Sequence, residues 1–185
     1  MHICKKTVIV LICLLVPTWI EGEELTVRSD SRILTIRPGQ SNLGFCKMTA
    51  EDFAREMLDA HNDVRSRVEL PPLQWSAELA GYSQNWANSL ITSNRIAHNS
   101  QSPYGENIFA SGPGSTPAAV ITEWASEARN YTYITNTCSG VCGHYTQLIW
   151  KSTQKVGCAM EHDTRREVWV CSYDPPGNYR GEWPY

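Results

Sequence analysis

The chain has 185 residues, of which 42% are hydrophobic and 19% are charged, and its formal net charge is −3 at pH 7. This length predicts one domain with short tails, large enough to bury a core. The mildly acidic balance lacks the basic character of nucleic-acid-binding proteins, so we expect no nucleic-acid partner. The ordinary charged fraction also argues against a long disordered region.

The first 22 residues have the pattern of a secretory signal peptide, with basic residues at 5–6, an apolar run over 7–16 and Pro17 at its end. Gly22 supplies a small residue for the cleavage point. A membrane anchor is the alternative, but the run is about half of the roughly 20 residues that a transmembrane helix needs. We therefore expect a secreted, extracellular protein without a transmembrane anchor.

The signal is followed by a polar lead-in over residues 23–48 that contains Pro38-Gly39. Its composition predicts irregular structure. The folded domain then extends over residues 49–185.

The domain begins with the signals of an α-helix. Thr49 is a favourable N-cap, and Glu51 and Asp52 place negative charge in the first turn, where the helix dipole favours it. Apolar residues then recur at helical spacing until Pro71-Pro72 ends the pattern. The residues that set this period are Phe53, Met57, Ala60, Val64 and Val68.

Two further helices and a strand follow. Ser76 is the expected N-cap of a second helix, and residues 106–110 are predicted to form a short strand. Thr116 is an N-cap followed by Pro117 at the first position of a third helix. One face of the second helix comprises Leu79, Trp86 and Leu90, and one face of the third comprises Val120, Trp124 and Glu127.

The C-terminal part reads as a β-hairpin, with strands at 156–161 and 167–173 and a polar turn between them. A turn centred between Thr164 and Arg165 puts Cys158 opposite Cys171. Opposed residues in an antiparallel pair have Cβ atoms about 4.5–5.5 Å apart, close enough to be drawn into a bridge. The hairpin therefore predicts a Cys158–Cys171 disulfide.

Secretion makes disulfides the default for the other cysteines. Of seven cysteines, two lie in the predicted signal. Cys138 and Cys142 have three residues between them and form the natural second pair. Cys46 is left over, so it is either free or available for an intermolecular disulfide.

Four motifs carry a resemblance to a known family. They are Gly143–Trp150 (GHYTQLIW), Val168–Tyr179 (VWVCSYDPPGNY), His61–Arg65 (HNDVR) and Gly105–Ile108 (GENI). Together they resemble the CAP superfamily of cysteine-rich secretory, antigen-five and pathogenesis-related proteins, whose domain is also called SCP. The resemblance covers roughly residues 50–185 and is closest to the plant pathogenesis-related and fungal sterol-binding branches.

The resemblance implies an α+β fold, a three-layer α–β–α sandwich with a small central antiparallel sheet. Plant members of the family usually have six cysteines in this domain, whereas this chain has four there. The missing pair would join the segment before His98 to the hairpin, which predicts a looser sandwich.

His98, Glu106, Glu127 and His144 match the family's tetrad, which implies a cleft that can hold zinc or another divalent metal. Imidazole and carboxylate are suitable ligands. Their spacing alone favours surface glutamates and hydrogen-bonded histidines instead, because no local metal motif is present. Glu127 is the exception, since it shares a helical face with Trp124 and a carboxylate there needs a partner. The His61–Arg65 motif lies within a helix and is predicted to be structural.

The segment after the third helix carries the expected lipid site. In fungal relatives the matching stretch is implicated in sterol binding, which implies Tyr131 and Tyr133 as lipid-binding residues, although core packing is an equal alternative. Asn130 begins the chain's one N-glycosylation sequon, Asn130-Tyr131-Thr132. A glycan there would crowd the lipid site.

The leading functional interpretation is therefore a secreted, non-enzymatic protein that binds sterols or other lipids and acts in defence or host interaction. One alternative is a metal-dependent hydrolase that uses the tetrad. Another is a precursor of a signalling peptide, because residues 175–185 resemble the cleaved tail of plant relatives. A structural strap, with Tyr179 and Trp183 packed on the domain, is the competing interpretation of that tail.

Overall fold

A computed structural model describes residues 25–29, 32–36 and 48–185, which fall into two compact units divided between Lys47 and Met48. In the first unit, β1 (Leu25–Ser29) pairs with β2 (Arg32–Ile36) in antiparallel register. The expectation of an irregular lead-in is wrong for these residues. Their Leu, Val, Thr and Ile content has high strand propensity, which outweighs the polar composition of the surrounding segment. The predicted signal peptide and Cys46 lie outside the described residues.

Two long helices form much of the second unit. Helix α1 spans Ala50–Ser66, and Thr49 accepts a hydrogen bond from the Asp52 amide at 3.0 Å. Helix α2 spans Ala77–Ser93, and Ser76 accepts from the Leu79 amide at 3.3 Å. Both predicted N-caps are confirmed, but α1 ends before the proline pair that was expected to stop it.

The buried face of α2 differs from the one predicted. It comprises Leu79, Ser83, Ala87 and Leu90. Trp86 lies at the edge of this face, half-buried, and its indole nitrogen donates to the Ala97 carbonyl at 3.1 Å. The small residues Ser83 and Ala87 within this face let the helix approach the sheet more closely than tryptophan would allow.

Two shorter helices complete the helical set of residues 48–185. Helix α3 (Pro117–Ser126) is capped by Thr116, as predicted, and continues into a 3₁₀ turn over Glu127–Asn130. Helix α4 (Gly143–Leu148) follows the Cys138–Cys142 loop.

The second unit contains a four-stranded sheet in the order β3-β7-β8-β4 and a small two-stranded pair, β5-β6. The strands are β3 (Gln74–Trp75), β4 (Gly105–Ser111), β5 (Tyr131–Thr132), β6 (Thr137–Cys138), β7 (Lys155–His162) and β8 (Glu167–Asp174). The three long strands are antiparallel, as expected, and β3 adds a short parallel edge to β7.

Successive side chains of β8 point to opposite faces of the sheet, and each face is covered by a layer of helices. Trp169, Cys171 and Tyr173 pack in the larger apolar cluster with residues of α1, α3 and α4. Val168 and Val170 face the other way and pack with Ala87 and Leu90 of α2. Because successive strand residues point to opposite faces, one strand serves two cores. The predicted α–β–α sandwich is confirmed.

Helix α2 lies so close to β7 that glycine is required at the contact. A Cβ on Gly157 would lie 2.2 Å from the Ala80 nitrogen and 2.5 Å from the Ser76 oxygen. Both are backbone atoms, so no side-chain rotation relieves the clash.

Both predicted disulfides are present. Cys158 lies directly opposite Cys171 in the β7–β8 register, and Cys138 is bonded to Cys142. Across the part of the chain that the structure describes, none of the helices has the length and apolar content that a bilayer span requires.

Candidate functional site

The His61–Arg65 motif is buried in the core. His61 is fully buried; its Nδ1 donates to the Met57 carbonyl at 2.7 Å and its Nε2 accepts from the Tyr173 hydroxyl at 2.9 Å. Burial lowers the pKa of His61 to about 4, so the ring is neutral at physiological pH. Burial also raises the pKa of Tyr173 well above its usual value, which keeps its hydroxyl a donor.

Arg65 joins separate segments of backbone. Its guanidinium donates to the carbonyl oxygens of Pro71, Leu148, Trp150 and Thr153. Burial lowers the pKa of Arg65 to about 10, so the group remains charged at neutral pH. The prediction that this motif is structural is confirmed.

The core network extends to the wall of a cleft. Asn107, on β4, donates from its amide nitrogen to the Tyr173 hydroxyl at 3.2 Å and to the His144 carbonyl at 3.1 Å. His61 is therefore linked to the backbone of His144 through two side chains.

The cleft has a volume of about 410 Å³ and lies between β4, the start of α4 and the segment after β8. Most of the residues that line it have polar side chains. The lining residues that matter for its chemistry are His98, Glu106, Asn107, His144, Gln147 and Asn178.

One wall carries the pair His98–Glu106. The Nδ1 atom of His98 lies 2.6 Å from Glu106 Oε1, which also accepts the Asn99 amide at 3.1 Å. The Glu106 side chain is only 6% exposed, whereas that of His98 is 67% exposed. Glu106 Oε2 is buried and has no hydrogen-bond partner in the described part of the chain.

The second histidine of the cleft, His144, pairs with Glu127. The Nδ1 atom of His144 lies 2.6 Å from Glu127 Oε1, and Glu127 Oε2 accepts the amides of His144 and Tyr145 at 2.9 and 3.3 Å. The His144 ring stacks on Trp124 with centroids 6.0 Å apart. Glu127 thus has the partners that its place on the α3 face required.

The tetrad is arranged as two histidine–glutamate pairs. In each pair Nδ1 faces a carboxylate, so Nε2 is the nitrogen left for a ligand. Within residues 48–185, however, the ligand atoms of no three tetrad residues lie within 4.8 Å of one another. The atoms that could hold a cation are the two Nε2 atoms and Glu106 Oε2.

Several residues of the cleft were not predicted. Asn107 positions the His144 backbone, Gln147 accepts the Gly177 amide at 3.0 Å, and Asn178 accepts from the Thr146 hydroxyl at 2.6 Å. All three lie inside the motifs noted in the sequence. The sequence did not indicate that the three side chains lie at the same cleft, because they come from separate segments.

The predicted lipid residues lie in a separate aromatic cluster. The Tyr131 ring is 6.5 Å from that of Tyr133 and 6.2 Å from that of Tyr145. Burial and these neighbours raise the pKa of Tyr131. Tyr133 is 42% exposed and the adjacent Ile134 is 88% exposed. The loop that contains them, residues 131–136, is called the aromatic loop below.

Asn130 is part of the scaffold of this region. Its amide nitrogen donates to the Val141 carbonyl at 2.7 Å, and its own carbonyl accepts the Ser139 amide at 2.8 Å. The nitrogen that would carry a glycan is thus engaged with the disulfide loop in the folded chain.

The tail packs on the domain. Asn178 forms hydrogen bonds with α4, Pro184 is buried, and the Trp183 indole donates to the Tyr133 carbonyl at 2.9 Å. Tyr179 and Trp183 are still about half exposed, at 49% and 50%. The tail therefore lies along the surface of the domain and is held there by these contacts.

A three-layer α–β–α sandwich with a two-histidine, two-glutamate cleft defines the CAP class of domains. The model of the family described as "Cysteine-rich secretory protein family" matches residues 58–173. The chain belongs to this family.

Plant pathogenesis-related proteins are among its relatives. It is 41% identical over 162 residues to pathogenesis-related protein 1 of Arabidopsis thaliana, covering 87% of this chain and 100% of that one. It is 43% identical over 141 residues to pathogenesis-related protein PR-1 of Medicago truncatula, covering 74% of this chain and 81% of the relative.

Solved structures share the fold. Venom allergen-like protein 4 of Schistosoma mansoni superposes with a TM-score of 0.60 at 25% identity, covering 72% of this chain and 94% of that chain. The crystal structure of NaASP2 with Zn²⁺ superposes with a TM-score of 0.61 at 23% identity, covering 76% and 88%.

Proposed function

We propose that this family member is a secreted, non-enzymatic protein that binds a sterol or another lipid outside the cell and acts in defence or host interaction. The signal-like N-terminus and the two disulfides support an extracellular location. The relatives' description as pathogenesis-related supports a role in defence.

The observation that carries the lipid proposal is the exposed aromatic loop. Ile134 is 88% exposed and Tyr133 is 42% exposed, yet the loop backbone is fixed at both ends. The Asn136 backbone amide donates to the Tyr133 carbonyl at 3.1 Å, and β5 pairs with β6 beside the Cys138–Cys142 bridge. An apolar surface that is ordered before binding loses little conformational entropy when a ligand covers it.

Binding of radiolabelled cholesterol to the purified protein tests this. Ile134→Ser should weaken binding at least threefold, because about 1 kcal/mol of apolar burial is removed. Ile96→Ser is the matched control, since Ile96 is also exposed, at 49%, and lies far from the loop in sequence. Tyr131→Ala combined with Tyr133→Ala should abolish binding, whereas His144→Ala should retain it. Equal binding by the wild type, Ile134→Ser and the double tyrosine variant would refute a lipid site at the loop.

A divalent metal site in the cleft is the second candidate, and a hydrolase would depend on it. It is favoured by Glu106 Oε2, a buried carboxylate oxygen without a hydrogen-bond partner among residues 48–185, on a wall shared with His98. The donor set fits zinc chemically, because each histidine has its Nδ1 held by a carboxylate, as zinc-binding histidines usually do. Zinc would supply Lewis acidity at the cleft. The protein's own part would be to orient both imidazoles through the carboxylates that hold their Nδ1 atoms.

The precursor alternative has less support. Release of residues 175–185 would break the contacts of Gly177, Asn178 and Pro184 with α4 and the following turn. These contacts favour a tail that stays attached to the domain.

A further inference from the structure

The last residues of the chain lie on the aromatic loop and make several specific contacts with it. The Trp183 indole donates to the Tyr133 carbonyl at 2.9 Å, and the Tyr133 hydroxyl donates to the Tyr185 carbonyl. The Glu182 carbonyl accepts from Asn136 at 2.9 Å. Residues 182–185, called the strap below, therefore cover part of the surface assigned to lipid.

Tyr185 is the apolar centre of this contact. Its ring stacks on Tyr133 with centroids 4.7 Å apart and an interplanar angle of 27°. It is half-buried and packs against the larger core cluster, to which Tyr145 also contributes. A ring in this position covers one face of Tyr133 and separates it from solvent.

The hydrogen bonds between the strap and the aromatic loop lie at the protein surface. Trp183 is 50% exposed, and neither disulfide of residues 48–185 ties the strap to the domain. Gly181 precedes it with φ of +85°, a conformation that glycine adopts without strain. Solvent-exposed hydrogen bonds of this kind each contribute little net free energy, because water replaces them on release.

We propose that Tyr185 occupies the position that the flat ring system of a bound lipid takes, so that the strap must be displaced for the ligand to bind. The inference rests on the proposed lipid function and adds to it the class of ligand and an internal competitor. The near-parallel stacking on Tyr133 selects planar fused rings, such as those of a sterol, over a flexible acyl chain.

Affinity measurements with radiolabelled cholesterol test the competition. Tyr185→Ala should bind about three- to tenfold more tightly than the wild type, because an aromatic pair that the ligand must break is absent. Tyr179→Ala is the matched control: this tyrosine lies in the same tail and is 49% exposed, but its ring faces Trp150, with centroids 6.2 Å apart. Radiolabelled palmitate, which has no planar rings, should show no comparable gain with Tyr185→Ala.

Each outcome decides between the two proposals. If the wild type binds cholesterol and Tyr185→Ala binds equally or more weakly, the strap does not compete and only this inference fails. If neither protein binds, the lipid function fails and the inference fails with it. If only Tyr185→Ala binds, the strap is a strong inhibitor of its own site. An equal gain for palmitate would overturn the selection of planar rings.

Amide hydrogen exchange gives a readout that does not depend on affinity. The Lys151 amide donates to the Pro184 carbonyl at 2.6 Å, so it should lose protection when saturating cholesterol displaces the strap. The Gln154 amide, which donates to the Asp174 carbonyl at 2.9 Å, should be unchanged. Unaltered exchange at Lys151 in a saturated complex would show that the strap stays in place.

Discussion

His61 and His144 both belong to family motifs and both direct Nδ1 at an oxygen acceptor, but they differ at the other ring nitrogen. In His61 the Nε2 atom accepts from Tyr173, and the ring is completely buried. In His144 the Nε2 atom has no hydrogen bond within residues 48–185, and the side chain is 27% exposed at a cleft. The same residue type is used for structure where both nitrogens are satisfied and is left available for a ligand where one is not.

Charged side chains also have different roles in the core network and in the cleft. Arg65 is buried and its donors are all directed at backbone carbonyls, so its loss would expose unsatisfied groups in the core. The glutamates of the cleft hold histidines at its edge, where water can replace a lost partner. We therefore expect large stability effects from the core network and small ones from the cleft, with the reverse order for ligand binding.

The largest effect is expected for Arg65→Met. Several carbonyl oxygens lose their donor at once, so the free energy of unfolding should fall by about 4 kcal/mol or more. Urea denaturation measures it. Arg67→Met is the control, because Arg67 is exposed and should change stability by less than about 0.5 kcal/mol. Similar losses for the two variants would remove the distinction between core network and surface.

The next effect is a pH dependence of stability that belongs to His61. Its pKa is lowered to about 4 in the folded protein, against 6.5 for the free side chain, so the unfolded chain binds more protons between these values. The contribution is present in full above pH 6.5 and is lost as the pH falls toward 4, by roughly 3 kcal/mol. Chemical denaturation at several pH values measures the slope.

His61→Gln should flatten that slope, since glutamine does not titrate. His98→Gln, at a 67% exposed position, should leave the slope as it is in the wild type. If the wild type and His61→Gln share one pH profile, the titration of His61 does not govern acid stability.

A smaller free-energy change is expected for zinc binding in the cleft. His144→Ala should weaken Zn²⁺ binding at least tenfold, and Glu127→Gln should weaken it about tenfold by releasing the imidazole. Calorimetry at pH 7 measures both. His162→Ala is the matched control, because His162 is exposed at the hairpin turn. Equal affinity of the wild type and His144→Ala would exclude this nitrogen as a ligand.

The smallest effect is expected for His98→Ala on stability. The side chain is 67% exposed, and Glu106 keeps the Asn99 amide as a partner, so unfolding should change by less than about 1 kcal/mol. Thermal denaturation checks this. A loss as large as that of Arg65→Met would show that the cleft is part of the structural core.

Much of the fold was predictable because its signals are local. The caps Thr49, Ser76 and Thr116 and the opposition of Cys158 to Cys171 follow from neighbouring residues and from the symmetry of one turn. The β1–β2 hairpin was missed because polar composition was weighted above strand propensity.

The site was predictable only as a set of residues. The family motifs selected His98, Glu106, Glu127 and His144, but not their division into two pairs. That division depends on where β4 and α4 lie relative to each other, which is a tertiary property. The contact of Tyr185 with Tyr133 joins residues 52 positions apart, and no periodicity of the sequence reports it.

The strand order has a consequence for how the chain folds during synthesis. The two central strands of the four-stranded sheet, β7 and β8, span residues 155–174, whereas α1 and α2 are complete by residue 93. The apolar faces of both helices have no sheet to pack on until the hairpin has left the ribosome. The two helices therefore cannot bury these faces against the central strands until synthesis has passed residue 174, so the cores on both sides of the sheet form late.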